Sequence, residues 1–255
     1  MKIYNYELKK EQLSNLIKSV KTGKYKEIGE EIIKKEILKE LKNNPSLIEK
    51  LDKKKHLVNF VKNIKKNLYR GVAIFNEKDV EEHFSIQDRD YKYFSKIISS
   101  IKKKDKIVDL GCGLNPLKYK ELKLKSEYVA YEINEEYVNQ INKFFKENKI
   151  KGKAHCKDVL QIKRFPKADV YLLLKLLESV EQKKGHKLSE EIIVNIPAKT
   201  LIVSFPTKTI SGKPMNVPVR RWMNLMLERL KYSYEIKQEE NEIFYIVKKI
   251  NILLR

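Results

Sequence analysis

A short apolar run, Ile107-Val108-Asp109-Leu110, passes without a spacer into Gly111-Cys112-Gly113-Leu114-Asn115-Pro116. An apolar run of this length that breaks on glycine reads as a buried strand followed by a turn. The two glycines permit a tight bend and let backbone approach a ligand closely. A dinucleotide fingerprint requires a third glycine three places after Gly113. Pro116 stands there, so a nicotinamide dinucleotide is disfavoured.

The sequence after this turn alternates. Tyr128 to Glu132 reads as a second strand, and Asn134 to about Asn148 as a helix. Ala154 lies in a short third strand. Ala168 to Leu174 is apolar almost throughout, as a parallel strand covered on both faces should be. Leu176 to Lys184, with a stretch from Ser189 to Val194, reads as its covering helix. Thr200 to Phe205 is a fifth strand, Val217 to Leu230 a helix, and Tyr232–Ile236 and Ile243–Val247 are two closing strands. Such alternation implies right-handed crossovers and an α/β, doubly wound fold with a mostly parallel, seven-stranded sheet. A ligand is expected beyond the carboxyl ends of the strands, at the switch point.

Before residue 105 the periodicity is helical, and no strand is expected there. Ile28, Ile32, Ile33, Ile37, Leu38 and Leu41 repeat at helical spacing until Asn43-Asn44-Pro45 stops them. Ser46 and Glu49 have the spacing of a capping box for the next segment. Leu57, Phe60, Val61, Ile64 and Leu68 repeat the helical pattern over His56 to Leu68. The expected organisation is a helical N-terminal domain over 1–75, a linking helical segment over 76–105 and a ligand-binding domain over 106–255.

Charge points to the partner. The chain of 255 residues carries 55 Lys and Arg against 34 Asp and Glu, a net charge of +21. The excess is shared between both parts of the chain. It favours a polyanion, nucleic acid first and an anionic membrane surface second. A lysine-rich composition of an AT-rich or thermophilic source is the competing explanation. No run of 18 apolar residues occurs, so no membrane span is expected. The start, Met1-Lys2-Ile3-Tyr4-Asn5, lacks the apolar core of a signal peptide, so a cytoplasmic protein is expected. Two cysteines, Cys112 and Cys156, cannot form a disulfide framework or a four-cysteine zinc site, and no metal is expected. Between its glycines, Cys112 reads as a small packing residue.

Two more acids fall at strand ends. Glu132 closes the second strand, placed to accept both ribose hydroxyls of a nucleoside. Asp158 follows the third, placed to accept from an adenine amino group. Each is alternatively a solvated loop acid. Acids at successive strand ends after a glycine turn point to a bound nucleoside.

The D-x-G-x-G form of Asp109–Gly113 resembles the first motif of class I S-adenosylmethionine-dependent methyltransferases. Asp109–Leu117 (DLGCGLNPL), Leu172–Leu177 with Glu181 (LLLKLLESVE) and Val203–Lys213 (VSFPTKTISGK) together resemble one family across about residues 69–230. It is the small-subunit (16S) rRNA guanine-N7 methyltransferases of the aminoglycoside-resistance type. The composition looks archaeal or thermophilic, and residues 1–68 match no motif of the family. The resemblance implies a class I, Rossmann-like methyltransferase fold behind a helical RNA-binding domain. It also implies S-adenosyl-L-methionine as cofactor and methyl transfer to guanine N7 in structured RNA at the decoding site. The substrate would be rRNA or the small ribosomal subunit, with no membrane partner; the oligomeric state is left open by the sequence, with a monomer expected. A tRNA substrate, or a non-catalytic RNA-binding protein on the same fold, are the alternatives.

The resemblance also implies roles. His83–Arg89 (HFSIQDR) is similar to the segment whose arginine meets the methionine carboxylate, which assigns that contact to Arg89. An ion pair with Asp88 or Asp90 is the alternative. Cofactor contacts are further expected from Asp109, Gly111, Gly113, Asn115, Glu132, Asp158 and Leu174. Lys175 and Phe205 carry the catalytic expectation: Lys175 faces the substrate, and Phe205 stacks on the base at the rim. Glu181 is expected to be structural. Lys208, Lys213, Arg220 and Arg221 would hold phosphates, or be a solvated face. Met215 and Trp222 would line the target pocket, with core packing the alternative for Trp222. Lys53 and Lys54, with Lys34, Lys35, Lys55, Lys62, Lys65 and Lys66, would fix orientation on RNA without reading sequence, or serve helix solubility. Guanine N7 has an in-plane lone pair and no proton, so no general base is required.

Overall fold

The computed structural model describes residues 2–4, 6–72, 89–181, 185–209 and 213–249. The chain divides into two compact units, Met1–Asn76 with Ile133–Glu136, and Glu77–Glu132 with Tyr137–Arg255. The expected boundary at 75/76 and most of the segment His83–Arg89 lie outside the described residues.

The first unit opens with a two-stranded antiparallel ribbon, β1 (Lys2–Ile3) and β2 (Tyr6–Glu7). This corrects the expectation of no strand before residue 105. Strands of two residues show no alternation from which a strand can be read. Four helices follow: α1 (Lys10–Val20), α2 (Glu30–Asn43), α3 (Leu47–Lys50) and α4 (Lys54–Val72). Leu16 and Val20 of α1, Ile33, Ile37 and Leu41 of α2, and Phe60 and Ile64 of α4 are buried at four-residue spacing. Ser46 does not cap α3. Its backbone is already helical (φ −63°), and its side chain makes no capping bond. An N-cap hydroxyl reaches its target from extended backbone.

The second unit is an α/β sandwich. Helix α5 (Tyr91–Ser99) precedes β3 (Lys106–Leu110) and β4 (Glu127–Glu132). Helix α6 (Glu135–Glu147) leads to β5 (Gly152–Cys156), and β6 (Val170–Leu174) follows. Then come α7 (Leu177–Val180), α8 (Lys187–Asn195), β7 (Thr200–Pro206), α9 (Arg221–Arg229), β8 (Ser233–Gln238) and β9 (Glu242–Lys248). The seven strands lie in the order β5-β4-β3-β6-β7-β9-β8. Only β9 runs against its neighbours. The chain builds outward from β3 to β5, then returns to β6 on the other side of β3. The switch point therefore lies between the ends of β3 and β6.

Strand alternation sends side chains to two separate cores. Ile107, Leu172, Ile202 and Phe244 pack with Phe94 and Ile97 of α5 and Phe145 of α6. Val108, Tyr171, Val203 and Tyr245 pack with Ile193 of α8 and Met223 and Leu227 of α9. This two-sided cover explains why β6 reads as a continuous apolar run.

Two helices are shorter than expected. The helix over Val217–Leu230 begins only at Arg221, because Pro218 lacks a donor and disfavours helical backbone at Val217. The helix from Leu176 stops at Val180, where Glu181 turns to extended backbone. Its expected continuation to Lys184 falls outside the described residues.

Edge strand β5 depends on a missing side chain. A Cβ at Gly152 would lie 2.7 Å from Phe145 Cε2 and 2.9 Å from the Tyr128 carbonyl oxygen. Gly152→Ala is expected to destabilise the protein by about 2 kcal/mol through overpacking. Urea unfolding measures this, and unchanged stability would contradict the packing described.

Candidate functional site

The site forms around the turn after β3. Gly111 and Gly113 both hold left-handed backbone, at φ +62° and +52°. At Gly111 a Cβ would also lie 2.7 Å from Leu176 Cδ1, so a side chain there would have to displace the Leu176 methyl besides adopting the left-handed backbone. The turn is tied to the end of β4: Cys112 N donates to Tyr131 O at 3.1 Å, and Gly113 N to Glu132 Oε2 at 2.9 Å. Beyond β5, the half-buried Asp158 accepts from Leu160 N at 2.9 Å and starts a single helical turn. Leu174 is buried at the end of β6. The sheet thus gathers Gly111, Gly113, Glu132, Asp158 and Leu174 at the carboxyl ends of β3, β4, β5 and β6.

Beneath the turn lies a buried polar network on the α5 side of the sheet. Asn115 is its hub. Asn115 Nδ2 donates to Asp109 Oδ2 at 2.8 Å and to the Tyr128 hydroxyl at 3.2 Å. Asn115 Oδ1 accepts from Arg89 Nη1 at 3.0 Å and from the Tyr91 hydroxyl at 2.9 Å. Two donors and two acceptor positions are the whole capacity of a primary amide. The Asn115 side chain therefore spends its hydrogen-bonding capacity on the groups around it, which it orders. The Tyr128 hydroxyl donates to Asp109 Oδ2 at 2.7 Å.

Of the alternative partners for Arg89, Asp88 lies outside the described residues, and Asp90 caps α5 by accepting from Tyr93 N. The Arg89 guanidinium forks onto Glu242 at the start of β9, with Nε–Oε2 and Nη2–Oε1 both 2.9 Å. Both side chains are buried. The guanidinium also lies 5.3 Å over the Phe94 ring. Burial opposes the charge on Arg89, but the Glu242 carboxylate outweighs it, and the pKa is raised. The same burial pushes the Tyr91 hydroxyl up to about 12 and the Cys112 thiol well above its usual range. Cys112 is therefore an inert packing residue at neutral pH.

Asp109 is fully buried, and its Oδ1 has no hydrogen-bond partner among the described residues. Burial raises its pKa to about 6, against the bonds from Asn115 and Tyr128 and the charge of Arg89. A buried acceptor left unmatched at a ligand turn calls for an explanation. An N–H or ammonium donor brought by a ligand supplies one, and an amino-acid nucleoside carries such a group.

The opposite rim is organised by the ends of β6 and β7. Lys175 holds left-handed backbone at φ +54°, a strained state for a residue with a side chain. Its N–H is shared between Ser204 O and Ser204 Oγ, both at 3.1 Å. Glu181 accepts from Ser189 N and Oγ and is structural, as expected.

Phe205 is fully buried in the α9-side core, 5.6 Å from Trp222 and 5.7 Å from Tyr245. This corrects its placement at the rim. Ser204 takes the α5 side, and strand alternation sends Phe205 to the opposite one. Arg220 is corrected too. It is buried, paired with Glu178 at 2.7 Å and bonded to Pro206 O at 3.1 Å, with its guanidinium 5.2 Å over Phe205. Its charge is used inside the fold. Lys208 pairs with Glu240 at 2.6 Å at the surface. Lys213, Arg221, Lys53 and Lys54 are exposed, and Met215 is half-buried. Trp222 is half-buried, with its ring stacked 3.9 Å from His186. No cluster of residues among those described could hold a metal ion. None of the described helices is long and apolar enough to cross a membrane.

Sequence reading missed Glu242, Ser204, Tyr91 and Tyr128. Glu242 left one signal: an acid directly before an apolar strand, Ile243 to Val247, which shares its buried sheet position.

A seven-stranded sheet with one reversed strand, a glycine turn after β3 and acids at the end of β4 and after β5 is the class I, Rossmann-like methyltransferase fold. Residues 72–241 match the family described as Ribosomal RNA methyltransferase (FmrO), and the chain belongs to that family. Among curated relatives, one from Micromonospora rosea is named 16S rRNA (guanine(1405)-N(7))-methyltransferase. It is 26% identical over 187 residues, covering 70% of this chain and 68% of the relative. A relative of the same name from Serratia marcescens is 26% identical over 149 residues, covering 56% and 57%. Among solved structures, the 16S rRNA methylase RmtB superposes with a TM-score of 0.70 at 18% identity, over 96% of this chain and 100% of that one. The 16S rRNA methyltransferase RmtF, in complex with S-adenosyl-L-homocysteine, gives 0.72 at 19% identity, over 95% and 100%. These structural likenesses establish the fold.

Removing the hub tests the network. Asn115→Ala leaves Arg89, Tyr91, Tyr128 and Asp109 each short of a partner, and is expected to cost about 3 kcal/mol of stability. Chemical denaturation gives the value; a loss below about 1 kcal/mol would contradict the hub role.

Proposed function

We propose that this rRNA methyltransferase modifies N7 of a guanine in small-subunit rRNA, at the decoding site. The observation that carries the reading is the family match over residues 72–241, the segment that builds the glycine turn, β6 and β7, together with relatives named for N7 methylation of 16S rRNA. The charge of +21 fits an RNA substrate. The enzyme works in the cytoplasm, as a monomer, on rRNA or the assembled small subunit.

S-adenosylmethionine supplies an electrophilic methyl group on a sulfonium. The residues of this chain hold and orient it. Asp109 Oδ1 would accept from the ammonium of the methionine end, and Arg89 would meet its carboxylate while staying forked onto Glu242. Glu132 takes the ribose hydroxyls and Asp158 the adenine amino group. Gly111 and Gly113 allow close backbone approach, and Leu174 forms an apolar wall. Guanine N7 carries a lone pair and no proton, so no residue of this chain would need to act as a base, and the site would contribute alignment of the base with the methyl group. Lys175, at the end of β6, orients the guanine. Its role is positional, because its backbone is what the fold fixes.

The base must leave its stack to reach this pocket. With Phe205 buried, Trp222 and Met215 supply its apolar contact. Lys213 and Arg221 hold flanking phosphates, and Lys208 exchanges Glu240 for a phosphate. Arg220 stays in the fold. In the helical unit, Lys53 and Lys54 stand at the start of α4, whose first turn holds no acid. Their charge and the positive end of the helix dipole both favour phosphate.

Two measurements test this. Small ribosomal subunits incubated with the enzyme and labelled cofactor, then digested to nucleosides, are expected to give 7-methylguanosine. Label in another nucleoside, or in tRNA alone, would contradict the reading. The second is cofactor affinity against pH. Below about pH 6 the free enzyme has a neutral Asp109, and binding an ammonium must first remove its proton. Affinity is therefore expected to fall with decreasing pH, by up to about tenfold per pH unit. Asp109→Asn should bind weakly at every pH and lose this slope; a wild-type affinity flat from pH 5 to 7 would contradict the assignment.

A further inference from the structure

One buried carboxylate touches both halves of the site. Glu242, the first residue of β9, is 1% exposed. Its two oxygens receive the fork of Arg89, and Arg89 continues through Asn115 to Asp109 under the glycine turn. Glu242 Oε1 also accepts from the Ser204 hydroxyl. Ser204 in turn receives the Lys175 N–H on both its hydroxyl and its carbonyl oxygen. A hydroxyl has one proton. Because Glu242 takes that proton, the lone pairs of Ser204 Oγ are left for Lys175. Without that acceptor the hydroxyl rotates freely, and the left-handed turn at Lys175 loses one of the bonds that impose it.

We propose that Glu242 is a positioning residue for methyl transfer. It fixes the cofactor turn through Arg89 and Asn115, and the Lys175 turn through Ser204, so that one carboxylate sets the distance between the two reactants. The proposal rests on the methyl-transfer reading above. It goes further by assigning a residue outside every motif of the resemblance. The two branches are separable. Ser204→Ala cuts only the arm to Lys175, whereas Glu242→Gln keeps the side chain's shape but offers one acceptor oxygen and no charge to the three donors from Arg89 and Ser204, so it weakens both arms.

Full-length Glu242→Gln, Ser204→Ala and the double variant are compared with wild type. Thermal unfolding checks the fold, calorimetry gives the Kd for S-adenosylhomocysteine, and kcat is measured for methyl transfer to small ribosomal subunits. Ser204→Ala is expected to lower kcat about tenfold with Kd within about twofold of wild type. Glu242→Gln should weaken cofactor binding about tenfold and lower kcat at least as far as Ser204→Ala does. The double variant should match the kcat of Glu242→Gln, because both changes interrupt one chain of contacts. If Glu242→Gln fails to fold, Ser204→Ala decides alone. An unchanged kcat in Ser204→Ala, or a Kd that rises in step with its fall, overturns the proposal. So does a folded Glu242→Gln whose Kd and kcat both equal wild type, or independent losses that multiply in the double variant. A wild-type enzyme that leaves guanine N7 unmethylated contradicts the proposed reaction instead, and the Kd of Glu242→Gln then still tests the cofactor arm.

Discussion

A guanidinium cannot sit in a protein interior without a counter-charge, and Arg89 is almost wholly buried. Glu242 answers it with a two-pronged ion pair, and the rest of the site is arranged around that pair. Removing one partner of a buried pair costs about 3–5 kcal/mol, so neither residue is free to vary alone. Asn115 then links the pair to Asp109, and its amide orientation is forced: the oxygen must face two donors and the nitrogen two acceptors. What the network leaves over is one carboxylate oxygen under a glycine turn. The site is therefore a polar core whose satisfaction is incomplete at one point.

The sheet brings these groups together because alternation puts them on one side. Asp109 on β3, Ser204 on β7 and Glu242 on β9 all share the α5 side with Ile107, Ile202 and Phe244. Their neighbours Leu110, Phe205 and Ile243 go to the other core. The reversal of β9 matters for the same reason. An antiparallel strand begins where its parallel neighbour ends, so Glu242 lies opposite Pro206, at the carboxyl end of β7. A parallel strand in that place would start at the far edge of the sheet.

Much of this was legible in the residues themselves. The strand–glycine turn, the doubly covered run of β6 and the acids after β4 and β5 are local patterns, and each lies where its pattern places it. The helical unit was legible from spacing, except for its two-residue strands. The failures share a cause. Phe205 lies near the end of β7, but which face of a strand a residue occupies is decided by partners distant in sequence; Arg220 precedes α9, and its partner Glu178 is 42 positions away. Arg89 and Glu242 are 153 positions apart, and no local pattern announces their pairing. The hub role of Asn115 leaves no local sign either, because its four partners come from three separate segments. Glu242 could have been suspected as an acid adjoining a core strand, a position where burial demands a partner.

The most direct test of the central claim is a crystal structure of the enzyme with S-adenosylhomocysteine. The account predicts the ligand across the carboxyl ends of β3 and β4, with a nitrogen donor within hydrogen-bond distance of Asp109 Oδ1 and the Arg89–Glu242 pair intact beneath it. A ligand bound elsewhere, or one that leaves Asp109 Oδ1 unpartnered, would contradict it.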